Sequence, residues 1–263
     1  LDLNLEGKNM LVANSKTVKL LITPQFTLNI DPHQGIKVNG TLLIPEARIS
    51  VPDTSEAVPI SEDVVIVDEP KKEAPTTAKT SKLISGNIQI RLGDKVFFDN
   101  KDAKIRFIGG LNLILRPGEN VRGEGRIEVA SGNYSLYGQE LDIKKGRLTF
   151  SGINIANPTV DFLAMRTVGE VQAGASITGT LKKMQLKLTS KPAMSDSFII
   201  SYLIFGKAPD GSMDSTALVE MGANMAIGQF SSNLGEKIHL DVFKLGLDGM
   251  KAGKNLSEQL YVG

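Results

Sequence analysis

Arg122-Gly123-Glu124-Gly125-Arg126-Ile127-Glu128-Val129 is the stretch that decides the fold. Side chains of an extended strand switch faces with period two. Arg122, Glu124, Arg126 and Glu128 therefore share a wet face, while Gly125, Ile127 and Val129 share an oily one. The alternation recurs at Leu141, Ile143 and Lys145, at Leu148 and Phe150, at Val160, Phe162 and Ala164, and along Val171, Ala173, Ala175, Ile177 and Gly179. It closes on Met184, Leu186 and Leu188, with Lys183, Gln185 and Lys187 facing outward. Almost no segment between Gly123 and Leu188 supplies a second layer for the apolar face.

Working outward, the same pattern precedes this block. Phe26, Leu28 and Ile30, then Ile36, Val38, Gly40, Leu42 and Ile44, read as strands, with Asn39-Gly40 as a turn or bulge. Strands resume at Leu83 and continue through Ile88, Ile90 and Leu92, then Ala103, Ile105 and Phe107, then Leu111, Leu113 and Leu115. The 26 glycines fall at strand ends and inside strands, where they permit bends, so the sheet is expected to curve. Short strands without intervening helices predict an antiparallel meander. Between them, Asp53 to Thr80 breaks the pattern and ends in polar, extended Pro70–Thr80, which reads as a loop or linker. Val64–Val67 within it could pair on a sheet edge.

The period changes near Ser195. Ser195 or Asp196 caps a helix running through Phe198, Ile199, Tyr202, Leu203 and Phe205 to Gly206, apolar nearly all round. It is too short for a bilayer, which needs roughly twenty residues. A second helix is expected from Asp214 or Ser215 to Leu234, then strands at Ile238–Val242 and Leu245–Leu247. The expected organisation is a strand segment at 1–52, a loop or linker at 53–82, a curved sheet at 83–194, two helices within 195–235, and terminal strands at 236–263. The fold class is all-β, an elongated curved antiparallel sheet with an apolar concave face plus two helices near the C-terminal end.

Composition narrows the function. A hydrophobic share of 41% excludes wholesale disorder. The net charge of +1 gives no strong field, and ten Phe and four Tyr are not interleaved with basic clusters, so no nucleic-acid partner is expected. The chain has no cysteine and hence neither disulfide nor thiolate metal site. It begins at Leu1 inside an alternating run and stops just after Leu260-Tyr261-Val262, which reads as a piece of a longer protein. No signal peptide or membrane span is evident. His33 and His239, the two histidines, sit in strand-like alternation and read as structural. Asp161 and Asp241 read as solvated strand positions, and no His grouping has metal-ligand spacing. Gly123-Glu124-Gly125 precedes no helix and is not a phosphate loop. Asn133-Tyr134-Ser135 matches a glycosylation sequon, a frequent chance triplet. Met221 and Met225 read as helix-on-sheet core, and Lys182, Lys183 and Lys187 as a wet strand face or a contact with lipid headgroups. No catalytic residue, metal or cofactor is expected. The apolar face has two readings: a sandwich buried under a second sheet, or an open groove.

The run Leu136-Tyr137-Gly138-Gln139-Glu140-Leu141-Asp142-Ile143-Lys144-Lys145-Gly146-Arg147-Leu148-Thr149-Phe150-Ser151-Gly152 resembles the signature of the TamB carboxyl-terminal domain family. Asn157-Pro158 with Asp161, Gly179-Thr180-Leu181, Leu186-Lys187-Leu188-Thr189-Ser190, Pro192 and Tyr202-Leu203-Ile204-Phe205-Gly206 follow in matching order and spacing. Met184 departs from the family, which usually has proline before the Leu-x-Leu strand, a difference expected to affect an edge or turn. The resemblance implies AsmA-like periplasmic bridges of Gram-negative bacteria, anchored in the inner membrane by an amino-terminal helix. It also implies a sheet folded like a taco around a hydrophobic groove, and a partner, TamA, an Omp85-type outer-membrane barrel. The implied role is outer-membrane biogenesis: phospholipid transport in the groove, or, as the alternative, a chaperone for autotransporter assembly, secretion and other barrel clients. The expected groove lining is Ile127, Val129, Leu141, Ile143, Leu148, Phe150, Val160, Phe162, Ile177, Leu186 and Leu188. The helix carrying Phe198, Ile199, Tyr202, Leu203 and Phe205 is expected to lid or plug one end, or to dock on a partner.

Overall fold

The computed structural model describes residues 1–33, 35–51, 83–136, 138–209 and 239–241. They form one sheet of twelve strands and one helix. In chain order the strands are β1 (Asp2–Glu6), β2 (Met10–Asn14), β3 (Val18–Asp31), β4 (Gly35–Val51), β5 (Ile84–Asn100), β6 (Ala103–Leu115), β7 (Arg122–Leu136), β8 (Gln139–Asn154), β9 (Thr159–Val168), β10 (Val171–Thr180), β11 (Lys183–Lys191) and β12 (His239–Asp241), with helix α1 (Asp196–Phe205) between β11 and β12. The order across the sheet is β1-β3-β4-β5-β6-β7-β8-β9-β10-β11-β12, with β2 also on β3. The sheet is open and curved, with no second sheet facing it among the described residues, so the sandwich reading is set aside.

Local sequence explains why neighbours pair. At the β5–β6 turn, the Asn100 side-chain oxygen accepts the backbone N–H groups of Asp102 and Ala103, an Asx turn that reverses the chain in two residues. Gly138 and Gly169 take the left-handed conformation at the β7–β8 and β9–β10 reversals, with φ of 76° and 59°.

Two expectations are corrected. The sheet is not a pure antiparallel meander: β4 and β5 pair in parallel, from Ile36↔Ile84 to Val51↔Asn100. A parallel neighbour needs a crossover of a dozen or more residues, and the chain between β4 and β5 is long enough to return to the starting end. β12 also pairs with β11 in parallel. Asn39-Gly40 is neither turn nor bulge, because β4 runs through both in unbroken register with β3. A Cβ at Gly40 would run into the Gln25 carbonyl and the Phe26 ring, so glycine there makes room for a cross-strand aromatic. The expected 53–82 loop and the second helix lie outside the described residues, and of the terminal strands only β12 lies within them.

Register shifts cross the sheet in line, at Leu21/Thr23, Ile44/Glu46, Leu92/Val96, Arg106/Phe107 and Ile143/Lys145. Each bulge bends its strand, and their alignment over successive strands concentrates curvature there. Ala130 and Lys144 are the residues left over in β7 and β8. Between β7 and β8 the register is the same on both sides of these irregularities. The two strands thus switch parity together, and their apolar residues stay on one face.

Candidate functional site

Cross-strand register shows which side chains share a face. One row runs Ile44–Leu92–Gly109–Ile127–Leu148–Val160–Gly179–Met184, a single apolar line through eight strands. Beside it run Gly146–Phe162–Ile177–Leu186 and Ile143–Ala164–Ala175–Leu188. At the far edge Leu3 and Leu5 of β1 continue the face opposite Leu28 and Phe26. All eleven groove residues expected from sequence lie on this face. Leu141 and Ile143 have odd numbers, Leu148 and Phe150 even ones, and the bulge at Lys144 reconciles them.

The other face carries charge in cross-strand pairs. Arg147 Nε donates to Glu128 Oε1 at 2.9 Å, Lys145 lies 2.5 Å from Asp161, and Lys19 lies 2.6 Å from Glu46. The Lys19 hydrogen bond lowers the pKa of the Glu46 carboxyl; burial opposes it, and the charges of Lys19, Lys95 and Arg48 add to the lowering. Wet and oily faces are thus separated by a single sheet.

The apolar face is not uniformly open. α1 lies across its β8–β11 end, where Ile199 and Leu203 pack with Leu141 and Ala173, bordered by Leu136, Ala164, Leu188, Met194 and Tyr202. Leu141 is only 3% exposed and Leu203 4%. Leu141 and Leu188, expected to line the groove, therefore meet the helix. Phe150 and Val160 are buried in the sheet, while Ile127, Val129, Ile143, Leu148, Phe162, Ile177 and Leu186 are half-buried. Ile199 and Leu203 point into the sheet and Tyr202 borders it, but Phe198 and Phe205 point away, 45% and 39% exposed. Met184 belongs to neither an exposed edge nor a turn: it is 2% exposed inside β11, opposite Gly179.

Arg166 is a helix-contacting residue that sequence reasoning passed over. It occupies an apolar-face position of β9, opposite Ala173, and its Nη1 donates to the Tyr202 carbonyl at 3.0 Å. That carbonyl lies in the last turn of α1, where a cation also meets the negative end of the helix dipole. Gly206 closes the helix in the left-handed conformation, its N–H donating to the same carbonyl. A lone arginine in phase with Val160, Phe162 and Ala164 was the available signal.

No helix among the described residues is long and apolar enough to cross a membrane. The described residues hold no His, Cys, Asp and Glu grouping arranged for a metal ion. What the arrangement offers is an apolar trough of sheet length with a helix packed on part of its β8–β11 end. Among curated relatives, the translocation and assembly module subunit TamB of Haemophilus influenzae is 29% identical over a 272-residue alignment that covers 95% of this chain and 20% of the relative. The chain spans about a fifth of that relative's length. The family model of the TamB C-terminal domain matches residues 1–263, from one end of the sequence to the other. With that match over an open β-sheet with one largely apolar face, the chain belongs to the TamB C-terminal domain family.

Proposed function

We propose that the apolar face carries the acyl chains of phospholipid, as the periplasmic part of a translocation and assembly module subunit that is anchored in the inner membrane and works with a TamA-like barrel in the outer membrane. The observation that supports this most is the apolar row that continues through eight strands with no second sheet over it among the described residues. A diacyl phospholipid exposes roughly thirty methylenes, and at about 0.8 kcal/mol each their transfer through water costs on the order of 25 kcal/mol. A continuous apolar lining removes most of that barrier, and near-uniform affinity along it avoids a deep trap. Headgroups stay in water along the open seam. Such a conduit requires no bond-making step, so the reading is non-enzymatic.

The experiment is native mass spectrometry of the chain purified without detergent. Phospholipid is expected on the wild type, lost in Ile143→Arg and Phe162→Arg and kept in Gln185→Arg, which places the same charge on the wet face. A wild type free of lipid that still binds the barrel would overturn the conduit.

A second reading, a scaffold for barrel-protein strands, draws on the outer edge of β11, where β12 pairs only with Lys183–Gln185 and Leu186–Lys191 have no strand beyond them among the described residues. Open edges template strand addition. Proline at positions in Leu186–Lys191 whose N–H faces away from β10 should then impair client binding and leave lipid binding intact.

A further inference from the structure

One place on the wet face gathers three cations around an aromatic ring. Phe97 of β5 sits there between Arg48 of β4 and Arg106 of β6, its register partners on either side. The Arg48 guanidinium carbon lies 5.7 Å from the centre of the Phe97 ring, within cation–π reach. Lys104, two residues before Arg106, shares the face and lies opposite Asp99 and Asn133. These side chains, with Ser131 and Asn133, line an open depression of about 430 Å³. Elsewhere on this face Lys19, Lys145 and Arg147 each have a carboxylate partner within 2.9 Å. Arg48, Lys104 and Arg106 form no ion pair among the described residues. Of the two carboxylates that line the depression, Asp142 is held by Lys144 at 2.9 Å and Asp99 lies opposite Lys104, while Glu46 beside Arg48 and Glu140 on Asn133 lie outside the lining.

We propose that this depression binds a phosphoryl group, borne either by a soluble phosphate or by a lipid headgroup. Guanidinium groups offer paired donors that match phosphate oxygens, and a converging ammonium adds charge. The Phe97 ring lies within cation–π reach of the Arg48 guanidinium, and the Ser131 hydroxyl supplies a neutral donor. The site lies on the face opposite the trough and recognises charge rather than acyl chains, so it stands or falls separately from the lipid-conduit reading.

The test is an amide NMR titration of the whole chain with inorganic phosphate, then with phosphatidylcholine vesicles lacking or containing phosphatidylglycerol. Saturating shifts at Phe97–Asp99 and Lys104–Arg106 with phosphate alone identify a soluble anion as sufficient. Shifts that appear only with vesicles, of either composition, identify the lipid headgroup. In either case R48Q and R106Q should each weaken binding about tenfold, the loss of one charge-assisted contact. Remote K187Q should change nothing, and preserved spectral dispersion reports an intact fold. Absence of shifts with both probes, or shifts undiminished in the R48Q/R106Q double variant, would overturn the proposal.

Discussion

Replacing Arg166 with leucine tests a charged contact that holds α1 to the sheet. The variant loses the Nη1 bond to the Tyr202 carbonyl. A hydrogen bond from a charged donor contributes about 1.5–3 kcal/mol. Loss of the cation at the helix C-terminus removes a further 0.3–1 kcal/mol or so. Two features of the structure reduce the net effect. The Tyr202 carbonyl still accepts the Gly206 N–H, so no buried acceptor is orphaned. Leucine at this half-buried position also regains part of the roughly 1.5–3 kcal/mol of a fully covered side chain. The balance is a local destabilisation of about 1–2 kcal/mol, with Ile199 and Leu203 keeping the helix docked in the ground state. That difference is a factor of about 5–30 in the open population. Native-state hydrogen exchange reads it directly: α1 amides should exchange faster by that factor, while β5–β7 amides keep their rates. Unchanged α1 exchange, or the same acceleration across the sheet, would refute the idea that Arg166 is a local latch.

Leu203→Ala removes a buried side chain from the helix–sheet contact and should cost about 2–5 kcal/mol, enough to undock α1 and raise the exposure of Leu141 to a cysteine-scanning probe. Gly86→Ala should lower stability by about 3 kcal/mol in denaturant unfolding, because at φ of 140° its Cβ would run into the Val38 backbone of the parallel neighbour. Gly169→Ala, also at positive φ but with nothing near its Cβ, should cost about 1 kcal/mol, and equal losses in the two would contradict the contact argument. The Glu46 carboxyl should titrate below 4.5 by NMR and return toward it in Lys19→Met. Its depressed value means that the pair's contribution is present above the unfolded pKa and fades as pH falls through the folded one.

The trough was legible in the sequence wherever burial acts on one face alone. Ile127 and Val129, or Phe162 and Val160, alternate with charged or polar residues because water claims every second position. The parallel joint between β4 and β5 was not legible, since hydrophobic period reports which face a residue takes and says nothing of its neighbour's direction. Asn39-Gly40 misled for a related reason. The dipeptide favours a hairpin only where the chain gains by turning, and here thirteen paired residues of β4 with β3 outweigh it. Met184 shows the same override: buried opposite Gly179, it fills space that a turn-forming proline would leave open.

α1 was legible as a helix, from its cap to Gly206, but its docking face was not, because a segment apolar nearly all round has no preferred side. Two features of the sheet select it. The small side chains of Ala164 and Ala173 leave a shallow seat for Ile199 and Leu203, and Arg166 reaches from the same strand region to the helix C-terminus. A guanidinium on an apolar face would be costly without a partner, and the carbonyl at the end of α1 supplies one. Its presence there therefore favours the docked helix over an empty trough end. The covered portion is limited to the β8–β11 end by the length of a ten-residue helix, roughly 15 Å, against strands several times longer in sum across the sheet. The helix thus covers part of the β8–β11 end of the apolar face and leaves the apolar row through β4–β7 uncovered by it.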